Sequence, residues 1–204
     1  MDENRLRLES NDLSGKIILV NGASSSGKST LCRELQSKLE EPYWLYSIDH
    51  LRDAQILPMQ RIQSGDFKWS EMRSAFFSGF HRSLPAFAAA GNNLLVEHII
   101  ETQSWMRLLL ELLHPFDVFF IGVHCPLPEL ERREIERGDR RIGEARLDFY
   151  TAHKFAVYDL EIDSTEPTAL NVEKTISAWK NRVRPNAFDE MYSANRDQFL
   201  QNIL

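Results

Sequence analysis

The chain has 204 residues, of which 43% are hydrophobic and 26% charged, and its formal net charge is −6. These values fit one sizeable α/β domain and argue against a general nucleic-acid binder, which usually carries a basic face. Two isolated cysteines, Cys32 and Cys125, exclude a disulfide framework or a zinc site. No signal-peptide pattern or membrane-spanning apolar run is present, so we expect a soluble cytoplasmic protein with no membrane partner.

Apolar runs alternate with helical patterns along the chain, as in a series of βαβ units. Most of the apolar runs are nearly continuous, which is typical of parallel strands covered on both faces. We predict a parallel sheet flanked by helices, with its ligand crevice outside the carboxyl ends of the strands. The predicted strands are 16–21, 43–49, 93–99, 117–125 and 159–163, and the predicted helices are 28–40, about 69–90, 103–114, 127–137, 145–155, about 167–182 and 187–203.

The first predicted strand runs into the stretch VNGASSSGKST, residues 20–30. Its spacing is that of the P-loop (Walker A) pattern G-x-x-x-x-G-K-[ST], in which glycines let the backbone curl around an anion. Lys28 would reach the β- and γ-phosphates of ATP, and the Ser29 hydroxyl would bind Mg²⁺. The alternative, a serine-rich turn that matches by accident, leaves the flanking strand and amphipathic helix unexplained. The predicted nucleotide-binding residues are Gly22, Ala23, Ser24, Ser25, Ser26, Gly27, Lys28, Ser29 and Thr30.

Asp49 ends the second predicted strand, in the stretch LYSIDHL. A carboxylate at that position would face the γ-phosphate across the crevice and could accept the proton of an acceptor hydroxyl. A strand-end aspartate can equally cap the helix that follows it. Position alone favours neither role.

Glu97 ends the third predicted strand, with His98 beside it. The Glu97 carboxylate could bind Mg²⁺ through water or contact the acceptor, and a solvated strand-end carboxylate is an equal alternative. A lone histidine such as His98 is more often a hydrogen-bonded structural residue than a catalyst.

The helical segment 67–91 carries an aromatic stripe. Such a stripe at helical spacing usually packs into the core, although part of it could line an apolar pocket for the acceptor. The residues concerned are Trp69, Met72, Phe76, Phe77 and Phe80.

The run ERREIERGDRRIGEAR, 131–146, places six arginines after the fourth predicted strand. Arg133 and Arg137 lie four residues apart on one helix face, and a break at Gly138 precedes Arg140. Guanidinium groups suit the clamping of a phosphoryl group, so we predict a lid near 132–146 that carries a nucleotide-binding Arg140. The alternative is a solvated helix laced with Glu–Arg pairs.

The chain contains no internal repeat or long linker. We predict an N-terminal arm at 1–14, a P-loop kinase domain at 15–184, and a C-terminal helix at 185–204 that packs on it. Within this domain the stretch STEP, 164–167, predicts a helix capped by Ser164 or Thr165, with its proline in the first turn.

Two longer stretches, 16–54 and 121–163, resemble the chloramphenicol phosphotransferase family of P-loop kinases. The specific features are EPYWLYSID and the series GVHC, ELERRE, RGDR and YDLEID. The resemblance implies a three-layer P-loop kinase fold with a five-stranded parallel sheet. It also implies that Asp49 is the base for the acceptor hydroxyl and that Arg133, Arg137 and Arg140 belong to the phosphate-binding lid.

The chain departs from the family at the end of the third strand, where Glu97-His98 replaces an acidic pair, and in region 55–80. We therefore predict ATP- and Mg²⁺-dependent phosphoryl transfer to a hydroxyl of a small molecule, with an aryl diol such as chloramphenicol ranked first. Alternative acceptors are a nucleoside, a sugar or another antibiotic. A switch-type NTPase and a nucleotide-binding module without catalysis are the rival classes, and the oligomeric state stays open.

Overall fold

The structure, a computed structural model, describes the backbone of residues 14–138 and 142–201, with side chains up to residue 195. Arg140 and all but the last residue of the predicted arm 1–14 lie outside the described residues. In the part of the chain that is described, no helix is both long enough and apolar enough to cross a lipid bilayer.

Five parallel strands form one sheet in the order β2-β3-β1-β4-β5. The five-stranded parallel sheet predicted from the sequence is confirmed, and this strand order brings the carboxyl ends of β1, β2 and β3 together. The strands are β1 (Ile17–Asn21), β2 (Tyr43–Ser47), β3 (Asn93–His98), β4 (Val118–His124) and β5 (Leu160–Asp163).

Helices cover both faces of the sheet, which explains the continuous apolar runs of the strands. In β1, Ile17 and Leu19 pack into the core beneath the helices at 69–89, 103–113 and 187–201, whereas Ile18 and Val20 pack into the core beneath the helices at 28–38 and 168–180. The helices over the described residues are α1 (Lys28–Lys38), α2 (Ile48–Asp53), α3 (Met59–Gln63), α4 (Trp69–Ala89), α5 (Gln103–Leu113), α6 (Leu127–Arg137), α7 (Glu144–Phe149), α8 (Thr168–Lys180) and α9 (Ala187–Gln201).

The second strand ends at Ser47, two residues earlier than predicted. The Ser47 hydroxyl accepts a hydrogen bond from the backbone N–H of Asp49 at 3.2 Å, which starts α2 at Ile48. Asp49 is therefore a first-turn residue of a helix, and the prediction that it ends the strand is wrong. The interpretation of Asp49 as the cap is also wrong, because Ser47 caps α2.

Helices α7 and α8 also differ from the prediction. Helix α7 ends at Phe149, short of residue 155, and the chain then turns so that the Ala152 carbonyl accepts from the buried side chain of Asn21. Helix α8 starts after Pro167, with no side-chain cap. The predicted cap by Ser164 or Thr165 is wrong, because the Asp163 carboxylate takes the Thr165 N–H at 2.8 Å and Ser164 accepts from Arg133.

Helix α9 lies against the core on the side of α5 and β4. Its Phe188 ring is buried and contacts the Phe120 ring edge-on, with ring centroids 5.9 Å apart. Just before the helix, the Asn186 side chain donates to the backbone carbonyl of Val118 at 2.7 Å. These contacts bring the C-terminal segment onto the same core as β4.

Candidate active site

A cavity of about 1200 Å³ opens at the carboxyl ends of the strands. One end is bounded by the phosphate loop between β1 and α1. The strand order puts α2, which follows β2, on the other side of β3, so α2 marks the other end. Residues of α3, α4, α6, α7 and the segment after β3 complete the lining. Asp49, Glu97, Arg133 and Arg137 line this one cavity together with residues 24–30. The fold thus brings together most of the residues predicted for the site.

Two residues of the phosphate loop have left-handed backbone conformations, and the glycine pattern accounts for only one of them. Gly27 has φ +97°, a left-handed conformation that favours glycine, and Ser25 adopts φ +62° without being glycine. Gly22 is required for a different reason: a Cβ there would lie 2.6 Å from the carbonyl oxygen of Val123. The loop is therefore pressed against β4 at its start and turned inward at its end.

The loop also holds hydroxyls that suit an anion. Ser25 Oγ and Ser26 Oγ are buried and make no hydrogen bond to the described part of the protein. Buried polar atoms without partners are rare and usually mark a ligand or water site. Lys28 Nζ donates to the Ala23 carbonyl at 2.7 Å, which keeps its positive charge within the loop. Together with the N-terminus of α1, these groups fit a polyphosphate.

Ser29 and Glu97 meet at the floor of the cavity. Ser29 Oγ donates to Glu97 Oε1 at 2.7 Å, and Glu97 is only 8% exposed, next to Val20 of β1 and Ser47 of β2. A hydroxyl and a carboxylate are the hard oxygen ligands that Mg²⁺ prefers. Among the described residues no cluster of three or more His, Cys, Asp or Glu could hold a metal alone. This pair therefore fits an ion that takes its other ligands from phosphate and water.

Asp49 reaches the cavity from α2. Its Oδ1 forms an ion pair with Arg52 Nη1 at 3.2 Å, and Arg52 also contacts Asp53 at 2.9 Å. Because α2 follows β2 directly, this carboxylate lies beside the strand end that pairs with Glu97. A group there can orient a hydroxyl between the loop and the opposite wall.

Arg133 links α6 to the phosphate loop. Its Nε contacts Glu129 at 2.7 Å, its Nη1 donates to Ser164 Oγ at 3.1 Å, and it reaches the Ser26 carbonyl at 3.4 Å. Arg132 and Arg133 lower the pKa of Glu129 to about 2. Glu129 and Arg133 form the Glu–Arg pair that the solvated-helix alternative predicts. Arg133 is nevertheless three-quarters buried, against the phosphate loop. Arg137 lines the cavity one turn further on.

The wall opposite the loop carries an ion pair that the sequence did not reveal. Arg73 of α4 donates to both carboxylate oxygens of Glu101 at 2.6 and 2.7 Å. Its guanidinium lies over the rings of Phe77 and Trp105, which stack with centroids 4.5 Å apart. The predicted aromatic stripe divides: Trp69 and Phe77 line the cavity, whereas Phe80 is buried in the core.

Behind this wall lies a buried histidine pair. His81 of α4 and His98 of β3 contact through their Nε2 atoms at 2.8 Å, and both are almost fully buried. Burial lowers the pKa of His81 to about 4. The pKa of His98 is lowered mainly by burial, with further contributions from His81 and Lys28. Both rings are therefore neutral near pH 7, and His98 is a hydrogen-bonded residue that also borders the cavity.

Asp148 of α7 is a further carboxylate that sequence reasoning missed. Its Oδ2 accepts a hydrogen bond from the backbone N–H of Ser24 at 3.0 Å. Burial raises its pKa, and the Ser24 N–H and the charge of Lys28 oppose that rise. The stretch EARLDF gives no motif that would mark this residue.

Comparisons with known proteins agree with this geometry. The family model described as "chloramphenicol phosphotransferase-like protein" matches residues 15–180. A protein of Mycobacterium tuberculosis strain H37Rv, whose name ascribes O-phosphotransferase activity to it, is 31% identical over 74% of this chain and 76% of its own length. A protein of strain CDC 1551 matches with the same values.

Solved structures share the fold. The APS kinase of Mycobacterium tuberculosis in complex with AMPPNP and APS superposes with a TM-score of 0.61 at 19% identity, covering 82% of this chain and 99% of its own. A gluconokinase from Sinorhizobium meliloti has a TM-score of 0.54 at 16% identity, with 93% and 98% covered. The predicted P-loop kinase fold is thereby confirmed. The chain belongs to the chloramphenicol phosphotransferase-like family and is a P-loop phosphotransferase.

Proposed function

We propose that the protein transfers the γ-phosphoryl group of ATP, with Mg²⁺, to a hydroxyl of a small molecule. The observation that carries the proposal is one cavity with two unlike ends. One end has a phosphate loop and an oxygen pair suited to Mg²⁺. The other has the Asp49 carboxylate and the aromatic side chains of α4. Phosphoryl transfer needs both ends, because catalysis depends on positioning a nucleophile against a neutralised phosphate.

At the nucleotide end, Lys28 leaves the Ala23 carbonyl and binds the β- and γ-phosphates. The hydroxyls of Ser25 and Ser26 and the first N–H groups of α1 complete the binding of the phosphates. Ser29 and Glu97 hold Mg²⁺, which neutralises phosphate charge when bound. Arg133 is already fixed against the loop and, with Arg137 and Arg140 of the lid, stabilises the charge of the transferred group.

At the acceptor end, Asp49 orients the attacking hydroxyl and receives its proton. Arg52 holds the carboxylate in place through the 3.2 Å contact between Oδ1 and Nη1. Loss of negative charge from Asp49 would leave the hydroxyl unoriented while the phosphate loop stays intact. Because Asp49 acts in the chemical step and the loop binds the nucleotide, a substitution of Asp49 tests the chemical step separately from ATP binding.

The acceptor wall favours a molecule with both a flat apolar part and polar groups. Trp69, Phe77 and Met59 offer apolar surface, whereas the Arg73–Glu101 pair is neutral as a unit and hydrogen-bonds without demanding a charged ligand. An aryl diol such as chloramphenicol meets these requirements and stays ranked first. A nucleoside, a sugar or another antibiotic is the alternative, since the related folds include kinases with different names and acceptors.

We also propose that residues 15–184 form the catalytic domain and that the C-terminal segment from 185 supports it. The burial of Phe188 and the bond from Asn186 to Val118 support this division. The supporting role is separate from the chemistry, because none of the side chains described between 185 and 195 lines the cavity.

The test is a screen for acceptor-dependent ADP formation. The protein is incubated with ATP and Mg²⁺ and with chloramphenicol, nucleosides or sugars, and products are examined by mass spectrometry. A kinase gives ADP only when its acceptor is present, together with a monophosphorylated product. ADP formation that no acceptor accelerates would instead identify an NTPase, and nucleotide binding without turnover would identify a binding module.

A further inference from the structure

Helix α7 is docked directly on the phosphate loop. Ala145 in its first turn packs in a small apolar cluster with Ala23 of the loop, and with Cys125 and Leu130. The carboxylate of Glu134, which is only 3% exposed, accepts from the N–H groups of Gly143 at 2.7 Å and Ala145 at 2.8 Å. The start of α7 is thus held from α6 by a buried carboxylate, so its side chains face the cavity in a fixed position.

Asp148 follows Ala145 by one helical turn and lines the cavity. Its Oδ2 accepts the Ser24 N–H, which places the carboxylate beside the phosphate loop. Four residues further on, the Ala152 carbonyl accepts from Asn21 at 2.5 Å, and Asn21 Oδ1 accepts the Ile100 N–H at 2.9 Å, which ties this segment to the stretch after β3 that carries Glu101. Leu147 and Thr151 from the same segment line the cavity beside Asp148.

The Asp148 carboxylate can accept further hydrogen bonds besides the one from Ser24. An ionised carboxylate offers about four lone-pair sites and can only accept hydrogen bonds, and the Ser24 N–H takes one of them. Asp49 reaches the same cavity from α2, on a different element. An acceptor that contacts both carboxylates must therefore present two hydrogen-bond donors.

We propose that Asp148 is an acceptor-binding residue and that the natural acceptor carries a second donor, as a diol or an amino alcohol does. This rests on the proposed phosphotransferase function. The hydroxyl beside Asp49 is phosphorylated, and the second hydroxyl or N–H donates to Asp148, which fixes the acceptor's rotation in front of the loop. Such two-point binding selects against simple alcohols, which can occupy only one of the two carboxylates.

The competing explanation is that Asp148 only satisfies the Ser24 N–H. Two substitutions separate the explanations, because Asp148→Asn keeps an oxygen for Ser24 but replaces the other acceptor by an NH₂ donor, whereas Asp148→Ala removes both. The matched control is Asp159→Asn. Asp159 is also a carboxylate whose pKa burial raises, it accepts two backbone N–H groups at 2.7 Å, and it lies outside the cavity.

The experiment measures KM and kcat for the acceptor and KM for ATP in each variant, with thermal unfolding to verify folding. The probes are chloramphenicol and two analogues that each lack one of its hydroxyls. Because a hydrogen bond to a charged group is lost, we expect Asp148→Asn to raise the acceptor KM by about 10- to 100-fold and to leave the ATP KM within about twofold. The analogue without the second hydroxyl should bind the wild type and Asp148→Asn equally weakly.

Two results together would show that Asp148 only supports the phosphate loop. They are an acceptor KM within twofold of wild type for Asp148→Asn and a raised ATP KM for Asp148→Ala. Efficient phosphorylation of an acceptor with one donor would also overturn the proposal, while the kinase assignment would stand. If no hydroxyl compound from the screen stimulates ADP formation, the proposed function itself fails and takes this inference with it.

Discussion

The two ends of the cavity are built in opposite ways. The phosphate loop at the nucleotide end comes from one continuous stretch, residues 20–30, whose strand, loop and helix are adjacent in the sequence. The acceptor end is assembled from α2, α4, the segment after β3 and α7, which tertiary packing alone brings together. Local backbone geometry therefore specifies phosphate binding, whereas acceptor choice depends on long-range contacts. The two ends should also respond separately to substitution.

The largest effect is expected at the nucleotide end. Lys28→Ala removes the ammonium that binds the β- and γ-phosphates, so kcat/KM should fall by about 1,000-fold or more, roughly 4 kcal/mol of transition-state stabilisation. Steady-state ADP formation measures it. Lys38→Ala is the control, since Lys38 lies at the far end of the same helix and pairs with Glu34 at 3.9 Å. A loss below tenfold would contradict the assigned role of Lys28.

Asp49→Asn tests whether the acceptor end can be disabled alone. The amide keeps the size of the side chain but cannot take the proton, so kcat should fall by about 100- to 10,000-fold. ATP affinity, measured by titration, should be unchanged. Asp53→Asn is a matched control because Asp53 contacts the same Arg52. Equal losses of ATP affinity and turnover in Asp49→Asn would make Asp49 a metal or structural residue.

The buried histidines behind the acceptor wall should make the fold sensitive to acid. Burial lowers the pKa of His81 to about 4, below its ordinary value of 6.5, and also lowers the pKa of His98. The unfolded chain then binds more protons than the folded one, so stability is full above pH 6.5 and is lost as pH falls towards 4. His81 alone accounts for a loss on the order of 3 kcal/mol.

Urea unfolding between pH 7 and pH 4.5 measures this dependence. His81→Phe should flatten the pH profile, whereas His50→Gln should not, because His50 lies on α2 with no place in the buried pair. A stability that does not change over this pH range would mean that the histidines are not held neutral by the fold.

The smallest effect concerns the lid that joins the two ends. If arginines between 132 and 146 clamp the triphosphate, amide hydrogen exchange in that range should slow severalfold when AMPPNP, Mg²⁺ and acceptor are added together. Helix α8, residues 168–180, serves as an internal reference. Unchanged protection in the arginine segment would favour the solvated-helix interpretation.

The contrast between the two ends also explains what the sequence could predict. The parallel sheet and the phosphate loop are encoded by local patterns: continuous apolar runs, and glycines at a fixed distance from Lys28. Ser29 and Glu97 were each predicted as a magnesium ligand, and they meet because Ser29 lies at the start of the helix after β1 while Glu97 pairs with Val20 near the end of the neighbouring strand β3. For the strands and the phosphate loop, residues adjacent in the sequence decide the local structure.

The acceptor end was less predictable for a physical reason. Arg73 and Glu101 are 28 residues apart, and Ser24 and Asp148 are 124 apart, so no local pattern marks either contact. Asp49 was correctly singled out as a candidate for the cavity, but its placement at a strand end was wrong because the Ser47 hydroxyl starts a helix two residues earlier. Short helices such as α2 and α3 carry too few turns to show a periodic pattern.

Direct transfer between the two ends is the central claim, and an isotope experiment tests it most directly. ATP labelled with ¹⁸O in the γ-phosphoryl group is incubated with the protein, Mg²⁺ and the acceptor identified by the screen, and the product is analysed by mass spectrometry. We predict a phosphorylated acceptor that carries the labelled phosphoryl oxygens, joined through the acceptor's own unlabelled oxygen. Label found only in free phosphate, with the acceptor unmodified, would contradict the claim.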